Sequence, residues 1–92
     1  MASLSPEDKL RALGRTIRRI RRERDLSQEA VAAAAGLHPN QIGRLERGES
    51  DVYTSTMLRI VDGLGVPLSE VARAYEDRLA TAPAGSRADG LA

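Results

Sequence analysis

The sequence predicts an all-α fold, a compact bundle of five helices followed by a flexible C-terminal tail. Three observations support this. The chain is rich in Ala, Leu, Arg and Glu, which favour helix over strand. Its apolar residues are small and aliphatic, with no Phe or Trp and two Tyr, which suits closely packed helices. They recur at intervals of three and four, the spacing of one helix face. A length of 92 residues allows one such domain with a single modest core.

A first helix is predicted from Ser5 to about Arg24. Ser5 can cap its N-terminus, and Pro6 suits its first turn. Gly14 indicates a place where another backbone comes close to this helix. Its apolar face is formed by Leu10, Leu13, Ile17 and Ile20.

Two shorter helices joined by a tight turn are predicted within 26–48, LSQEAVAAAAGLHPNQIGRLERG. Ser27 can cap the first of them, and Gly36 is suited to end it in the left-handed conformation. His38 and Pro39 begin the second. Two helices that cross at a steep angle around such a turn form a helix-turn-helix.

A fourth and a fifth helix follow a loop over 49–53. The fourth, which Gly63 interrupts and Gly65 ends, has an apolar face of Met57, Leu58, Val61 and Leu64. Pro67 opens the fifth, with a face of Leu68, Val71, Ala72, Tyr75 and Leu79. From residue 80 onward the sequence is small, polar and broken by Pro and Gly. We therefore expect an N-terminal lead-in over 1–8, one domain over 9–79 with its motif at 27–47, and a flexible tail over 80–92.

The net charge of +1 hides an uneven distribution. Residues 1–48 carry ten Lys/Arg against six Asp/Glu, a net of +4, and residues 49–92 carry four against seven, a net of −3. The basic charge is densest in 15–24, RTIRRIRRER. A one-sided basic surface is the expected footprint of phosphate binding. A solvated helix face is the other explanation, and the run alone favours it.

The chain lacks the residues that several classes of function require. It has no Cys and one His, and it contains no HExxH motif, P-loop or nucleophile elbow. We therefore predict that it is not an enzyme and has no metal, cofactor or small-molecule site. The N-terminus lacks a secretion signal, and the longest apolar run, 30–35, is too short to span a bilayer. We expect a cytoplasmic, nucleoid-associated protein without a membrane partner.

The second helix of the motif carries polar residues with the chemistry to contact bases. An α-helix fits the DNA major groove, where Asn and Gln can pair with adenine and Arg with guanine. The predicted base-contacting residues are His38, Asn40, Gln41 and Arg44. Two of them have another explanation, because His38 can be a turn residue and Asn40 can favour a helix start.

Three residues are predicted to contact DNA phosphates. Gln28 lies at the start of the first motif helix, where the free backbone amides can also bind an anion. Arg47 lies at the far end of the second motif helix, and Arg18 lies in the basic run. Double-stranded DNA is therefore the predicted partner.

Residues Leu13 to Val71 resemble the phage repressor/Cro-like helix-turn-helix family, also called the xenobiotic-response-element type. The resemblance covers about two thirds of the chain. It rests on Ile17-Arg18 with Arg21, Leu26-Ser27-Gln28-Glu29, Ala35-Gly36-Leu37, Ile42-Gly43-Arg44-Leu45-Glu46-Arg47-Gly48, Leu58-Arg59-Ile60 and Leu64-Gly65-Val66.

The resemblance implies a lambda-repressor-like bundle that binds a near-palindromic operator as a homodimer. It also implies that Arg21 in the first helix pairs with Glu46 at the end of the recognition helix. This pair would position the recognition helix without contacting DNA. The same resemblance implies the phosphate and base contacts given above.

Three positions depart from the family pattern. His38 replaces the usual Ser or Thr cap, so poorer capping is expected. Gly43 would place no side chain in the groove, which leaves fewer base contacts. Val52-Tyr53-Thr54 replaces the more usual Pro-Ser-Leu before the fourth helix.

Two function classes remain in competition. The first is a homodimeric transcriptional regulator, most simply a repressor, with the fifth helix, Tyr75 in particular, and the loop before the fourth helix as the candidate dimer interface. The second is a protein-interaction module, such as an antitoxin or adaptor, that binds a protein partner through 68–79 and the tail. Such a module can also regulate its own promoter. The 68–79 face can also simply complete the core.

Overall fold

The computed structural model describes residues 4–81 and contains the five predicted helices, with no strand in that range. The helices are α1 (Pro6–Glu23), α2 (Gln28–Ala35), α3 (Pro39–Glu46), α4 (Thr54–Leu64) and α5 (Leu68–Thr81). No helix in the described range is long and apolar enough to cross a membrane.

The ends of α1 and α2 form where the sequence predicts them. The Ser5 hydroxyl accepts a hydrogen bond from the Asp8 amide at 3.0 Å, and the Asp8 carboxylate accepts one from the Ser5 amide at 3.2 Å. This capping box satisfies two amides that the helix itself leaves free. Ser27 caps α2 by accepting from the Ala30 amide, and Gly36 ends it with a φ of 70°. The left-handed φ at Gly36 turns the chain into α3.

A single apolar core joins all five helices. Helix α1 packs between α3 and α5, and α2 packs against α3 and α4. The largest fully buried side chains are Ile17, Ile20, Ile42, Leu45, Ile60, Leu64, Val31 and Thr16. Because α3 is anchored by Ile42 and Leu45, its opposite face is left at the surface.

The close approach predicted at Gly14 is confirmed. A Cβ atom at Gly14 would lie 2.8 Å from the backbone oxygen of Glu46 and closer still to that of Leu45. Helix α1 therefore touches the C-terminal backbone of α3 directly. A glycine is required here for packing, since only a residue without Cβ allows this contact.

The structure corrects the prediction for the fourth helix. Gly63 does not interrupt it, because α4 continues to Leu64 and ends at Gly65 with a φ of 75°. A Cβ at Gly63 would lie 3.1 Å from the Cβ of Ala34, so this glycine serves the packing of α4 on α2. Leu58 is 44% exposed, whereas Ile60 is completely buried.

The buried face of α5 is also rotated from the predicted one. Val71 and Ala74 are buried, Tyr75 and Leu79 are half-buried, and Ala72 is exposed. Leu68 at the start of the helix is 51% exposed. The true face follows intervals of three and four from Val71 through Ala74 and Arg78 and leaves Ala72 outside it.

The start of α1 agrees with the predicted cap at Ser5, but the domain limits given at 8/9 and 79/80 fall inside α1 and α5. Helix α1 begins at Pro6, inside the predicted lead-in over 1–8. Helix α5 ends at Thr81 and so includes the first two residues of the predicted tail. The rest of the predicted flexible tail lies outside the described residues.

Candidate nucleic-acid interface

Helix α3 presents one polar face to the surface. Asn40, Arg44 and Arg47 follow at intervals of four and three, and all three are exposed. Ile42, Leu45 and Glu46 are buried on the other side of the helix. This exposed row has the donors and acceptors that pair with base edges in a major groove.

His38 caps α3 in place of the usual hydroxyl residue. Its Nδ1 atom accepts a hydrogen bond from the Asn40 amide at 3.1 Å. The side-chain oxygen of Gln41 accepts one from the His38 amide at 2.8 Å, which completes a capping box. The imidazole nitrogen thus supplies the acceptor that a Ser or Thr oxygen supplies in the usual cap.

The cap limits what His38 and Gln41 can offer to a base. Nδ1 of His38 points at the helix amide, which leaves Nε2 as the free ring nitrogen. The oxygen of Gln41 already accepts from the His38 amide, so pairing with adenine through both amide atoms would compete with the cap. Gln41 also lines a groove at the side of α3, with Leu37, Asp51, Val52, Tyr53 and Thr56.

Gly43 lies on the packed side of α3, which gives its missing side chain a structural reason. Gly43 is buried and faces the N-terminus of α2. A Cβ atom there would lie 3.2 Å from Nη1 of Arg47 and 3.6 Å from the side-chain amide of Gln28. The glycine leaves space for these two side chains to lie across α3.

The buried ion pair that the family resemblance implies is present. Nε of Arg21 donates to Oε2 of Glu46 at 2.6 Å, and Nη2 donates to Oε1 at 3.0 Å. Arg21 is 8% exposed and Glu46 is 4% exposed. The remaining Nη1 donates to the backbone oxygen of Leu26 at 2.8 Å. The hydrogen bond to Glu46 raises the pKa of Arg21 above its usual value.

Gln28 joins this pair to the surface. Its amide nitrogen donates to Oε1 of Glu46 at 3.0 Å. One carboxylate thus joins the end of α1, the start of α2 and the end of α3. The amide nitrogen carries two hydrogens, so one remains for a phosphate oxygen.

The two predicted phosphate-contacting arginines lie at the C-terminus of α3 and on α1. Arg47 pairs with Glu49 at 3.0 Å, and both side chains are more than half exposed. This hydrogen bond lowers the pKa of Glu49. The sequence alone does not indicate that Glu49 is the partner of Arg47. Arg18 is exposed on α1, three residues from Arg21 and four from Gly14, both of which face α3.

Sequence reasoning also missed a contact that holds the motif to α4. Nε of Arg59 donates to the backbone oxygen of Ala35 at 2.9 Å. This oxygen lies at the C-terminus of α2, where the helix has no partner of its own for its last carbonyls. In the sequence, Arg59 stands out only because it matches the family pattern, and that match does not indicate which group it contacts.

Comparison with known proteins agrees with this architecture. A family described as a helix-turn-helix domain matches residues 12–74, which is more than half of the chain. The chain belongs to the helix-turn-helix domain family, the class of DNA-binding domain that the α2–turn–α3 unit and the exposed face of α3 define.

Three known proteins show how far the similarity extends. The HTH-type transcriptional regulator SutR of Escherichia coli K12 is 35% identical over 63 residues, which cover 68% of this chain and 35% of SutR. The chain therefore spans about a third of this curated relative.

The similarity to two solved structures covers most of each solved chain. The restriction-modification controller protein C.AhdI from Aeromonas hydrophila is 31% identical with a TM-score of 0.64, covering 67% of this chain and 94% of C.AhdI. The clp gene regulator ClgR from Corynebacterium glutamicum has a TM-score of 0.80 at 22% identity, covering 90% of this chain and 88% of ClgR. The likeness to ClgR shows the fold alone.

Proposed function

We propose that this chain is a sequence-specific transcriptional regulator that binds DNA as a homodimer and acts most simply as a repressor by occupying a near-palindromic operator. The observation that carries the proposal is the exposed row Asn40, Arg44 and Arg47 on a helix anchored from behind by the Arg21–Glu46 pair. A recognition helix needs both features, because base contacts depend on a fixed position in the groove. The relationship to SutR, itself named a transcriptional regulator, supports the same role.

Asn40, Gln41 and Arg44 are the proposed base-contacting residues. Asn40 and Arg44 are free on the outer face of α3, whereas Gln41 contributes mainly through its amide nitrogen. His38 is best assigned to capping α3, because its hydrogen bond to Asn40 accounts for its place in the turn.

Gln28, Arg18 and Arg47 are the proposed phosphate-contacting residues. Gln28 lies at the N-terminus of α2, where the amides of the first turn add to an anion site. Arg47 pairs with Glu49 through Nε, so its Nη groups can still donate to a phosphate. An exposed pair of this kind is weak, so a phosphate can replace Glu49.

The homodimer is proposed because one recognition helix covers only a few base pairs. Two copies related by a two-fold axis place their helices about 34 Å apart, one turn of DNA. Tyr53 before α4 is 85% exposed and Leu68 at the start of α5 is 51% exposed. These side chains, with the half-buried Tyr75, are the candidates for the contact between copies.

Selection of bound duplexes from random DNA by the full chain tests the proposal. We expect one enriched near-palindromic sequence, bound with a log–log salt slope of several units. Light scattering with and without the selected duplex reports the number of copies. No enriched sequence, salt-independent binding, or a strict monomer on the duplex would each contradict part of this function.

A protein-interaction module, such as an antitoxin or adaptor, is the second candidate. The exposure of Leu58 and Leu68 favours it, because both apolar side chains are available to a partner. This candidate predicts that the chain forms a stoichiometric complex with a purified partner protein, whether or not it also binds its own promoter. Enrichment of a DNA sequence is compatible with both roles and supports the first.

A further inference from the structure

A shallow depression between α1 and α5 is lined entirely by charged side chains. The lining residues, here called the arginine depression, are Arg15, Arg18, Arg19, Arg22, Glu23 and Arg78. Five arginines and one glutamate thus lie together on one side of the molecule, with Asp77 next to Arg19 and Arg78 in an adjoining hollow. Most of this cluster lies outside the proposed DNA contacts, which include only Arg18.

The positive charge in the arginine depression is largely unneutralised. Glu23 pairs with Arg19 at 3.5 Å, and both side chains are more than half exposed. Within 4–81, Arg15, Arg18, Arg22 and Arg78 form no ion pair with another described residue. Folding does not explain this arrangement, since like charges placed together repel each other.

The arginine depression begins beside the recognition helix. Arg15, Arg18 and Arg22 follow at intervals of three and four and share the outer face of α1. Arg18 marks the edge toward α3, because its neighbours one turn away, Gly14 and Arg21, both contact α3. Arg78 on α5 marks the opposite edge. The charge therefore continues from the rim of the proposed DNA-binding face around the side of the protein.

We propose that the arginine depression binds the phosphate backbone of DNA flanking the operator, on the same duplex that α3 contacts. The inference rests on the proposed function and extends the DNA contact beyond the groove. Arg15 to Arg22 cover about 10 Å along α1, the length over which one DNA strand presents about three phosphates. Arginine also pairs with phosphate through two parallel hydrogen bonds.

The composition of the depression favours phosphates over an acidic protein. Protein interfaces enrich arginine too, but they place it beside a core of apolar and aromatic side chains. All six residues that line this depression are charged, and none supplies an apolar anchor. A uniformly charged backbone requires no such anchor. Flanking DNA that reaches the depression must bend toward α1, so its deformability would contribute to operator choice.

Duplexes of two lengths test the inference. A selected site is placed in a duplex of about 20 bp, which spans two half-sites one helical turn apart, and at the centre of one of about 40 bp. The test variant is the triple substitution Arg15→Gln, Arg22→Gln and Arg78→Gln. The control is Lys9→Gln, Arg24→Gln and Arg73→Gln, which removes the same charge from exposed residues outside the depression. Circular dichroism checks that both variants fold.

The unsubstituted chain is expected to bind the longer duplex at least about tenfold more tightly than the shorter one at low salt. The test variant should bring this ratio close to one and lower the log–log salt slope on the longer duplex by about two to three. It should bind the shorter duplex as before, and the control variant should keep the length effect. Energy transfer between dyes on the two ends of the longer duplex should show a bend that the test variant loses.

Three results would overturn the inference. One is equal binding of the unsubstituted chain to both lengths, and another is a length effect that the test variant keeps. The third is binding of polyglutamate that competes with neither duplex and is lost in the test variant, which would assign the depression to an acidic protein. Failure of the proposed function is distinguishable, because it appears as loss of specific binding to the shorter duplex itself.

Discussion

Arg21 on α1 and Glu46 on α3 form a buried ion pair with two hydrogen bonds, at 2.6 and 3.0 Å. Glu46 precedes the C-terminal cap of the recognition helix, and its carboxylate also accepts from Gln28 at 3.0 Å. The buried Glu46 thus connects α3, which carries the proposed base contacts, to Gln28, a proposed phosphate contact. These hydrogen bonds fix the end of α3 against α1 and the start of α2.

Breaking the pair should cost more than the pair itself contributes. Arg21→Ala leaves the carboxylate of Glu46 buried without its main partner, and we expect a loss of about 3–5 kcal/mol in the free energy of unfolding. The double variant Arg21→Met with Glu46→Met should recover much of this loss, because it removes both charges. Urea denaturation of the single, the double and the exposed control Arg22→Ala measures the difference. A loss in Arg21→Ala no larger than in Arg22→Ala would contradict the role of the pair.

The two buried glycines of the α1–α3 region should respond oppositely to alanine. Gly14→Ala places a methyl group against backbone oxygens that cannot move away, so we expect destabilisation of several kcal/mol, in the range of overpacked cores. Gly43→Ala meets the flexible end of Arg47, and the gain in helix propensity, about 1 kcal/mol, should at least balance this contact. Thermal unfolding of both variants tests the contrast. Equal destabilisation would show that the approach at Gly14 is not limiting.

Two substitutions distinguish a capping role of His38 from a DNA-contacting role. His38→Ala removes the acceptor for the Asn40 amide and should lower stability by about 1 kcal/mol. His38→Ser restores a capping oxygen and should regain that stability. We expect its base preferences in a selection from random DNA to match those of the original chain. A changed preference with normal stability would instead assign the imidazole to a base.

The N-terminal cap of α1 makes stability depend on pH. The hydrogen bond from the Ser5 amide, with further hydrogen bonds from the Ser5 side chain and Arg11, lowers the pKa of Asp8. A carboxyl group whose pKa is lower in the folded chain stabilises the fold above its unfolded pKa, and this contribution disappears as pH falls through the folded value.

Asp8→Asn should therefore be less stable than the original chain at neutral pH, and the difference should vanish in acid. Chemical denaturation at a series of pH values below 5 measures this difference in the free energy of unfolding. The range includes the pKa of Asp in an unfolded chain, about 3.9. Glu76→Gln, an exposed substitution on α5, serves as the control. A difference that persists at the lowest pH would mean that the carboxylate charge is not what stabilises the cap.

The sequence predicts the helices of this domain well because their end signals are local. Ser5, Ser27 and Gly36 act within one turn of the residues they cap, so the pattern of neighbours is sufficient. The structure also contains the Arg21–Glu46 pair, which only the family resemblance had suggested. The contacts of the site residues with DNA stay predictions.

The remaining features depend on packing between distant segments. The predicted faces of α4 and α5 include the exposed Leu58 and Ala72 and omit the buried Ile60 and Ala74, because all four fit a helical spacing. Gly43 looked like an outward position because nothing in α3 alone shows that Gln28 lies over it. The same holds for Arg59 and the end of α2, which are 24 residues apart in the chain.

The most direct test of the central claim compares the base preferences of Arg44→Ala with those of the original chain. Binding is measured on the selected duplex and on every single-base variant of it, with Arg73→Ala on the exposed side of α5 as the control. If the exposed face of α3 contacts bases, Arg44→Ala should lose about 1–3 kcal/mol of discrimination at one position in each half-site and keep the other preferences. The control should match the original chain. An unchanged preference profile in Arg44→Ala would contradict the assignment of α3 as the recognition helix.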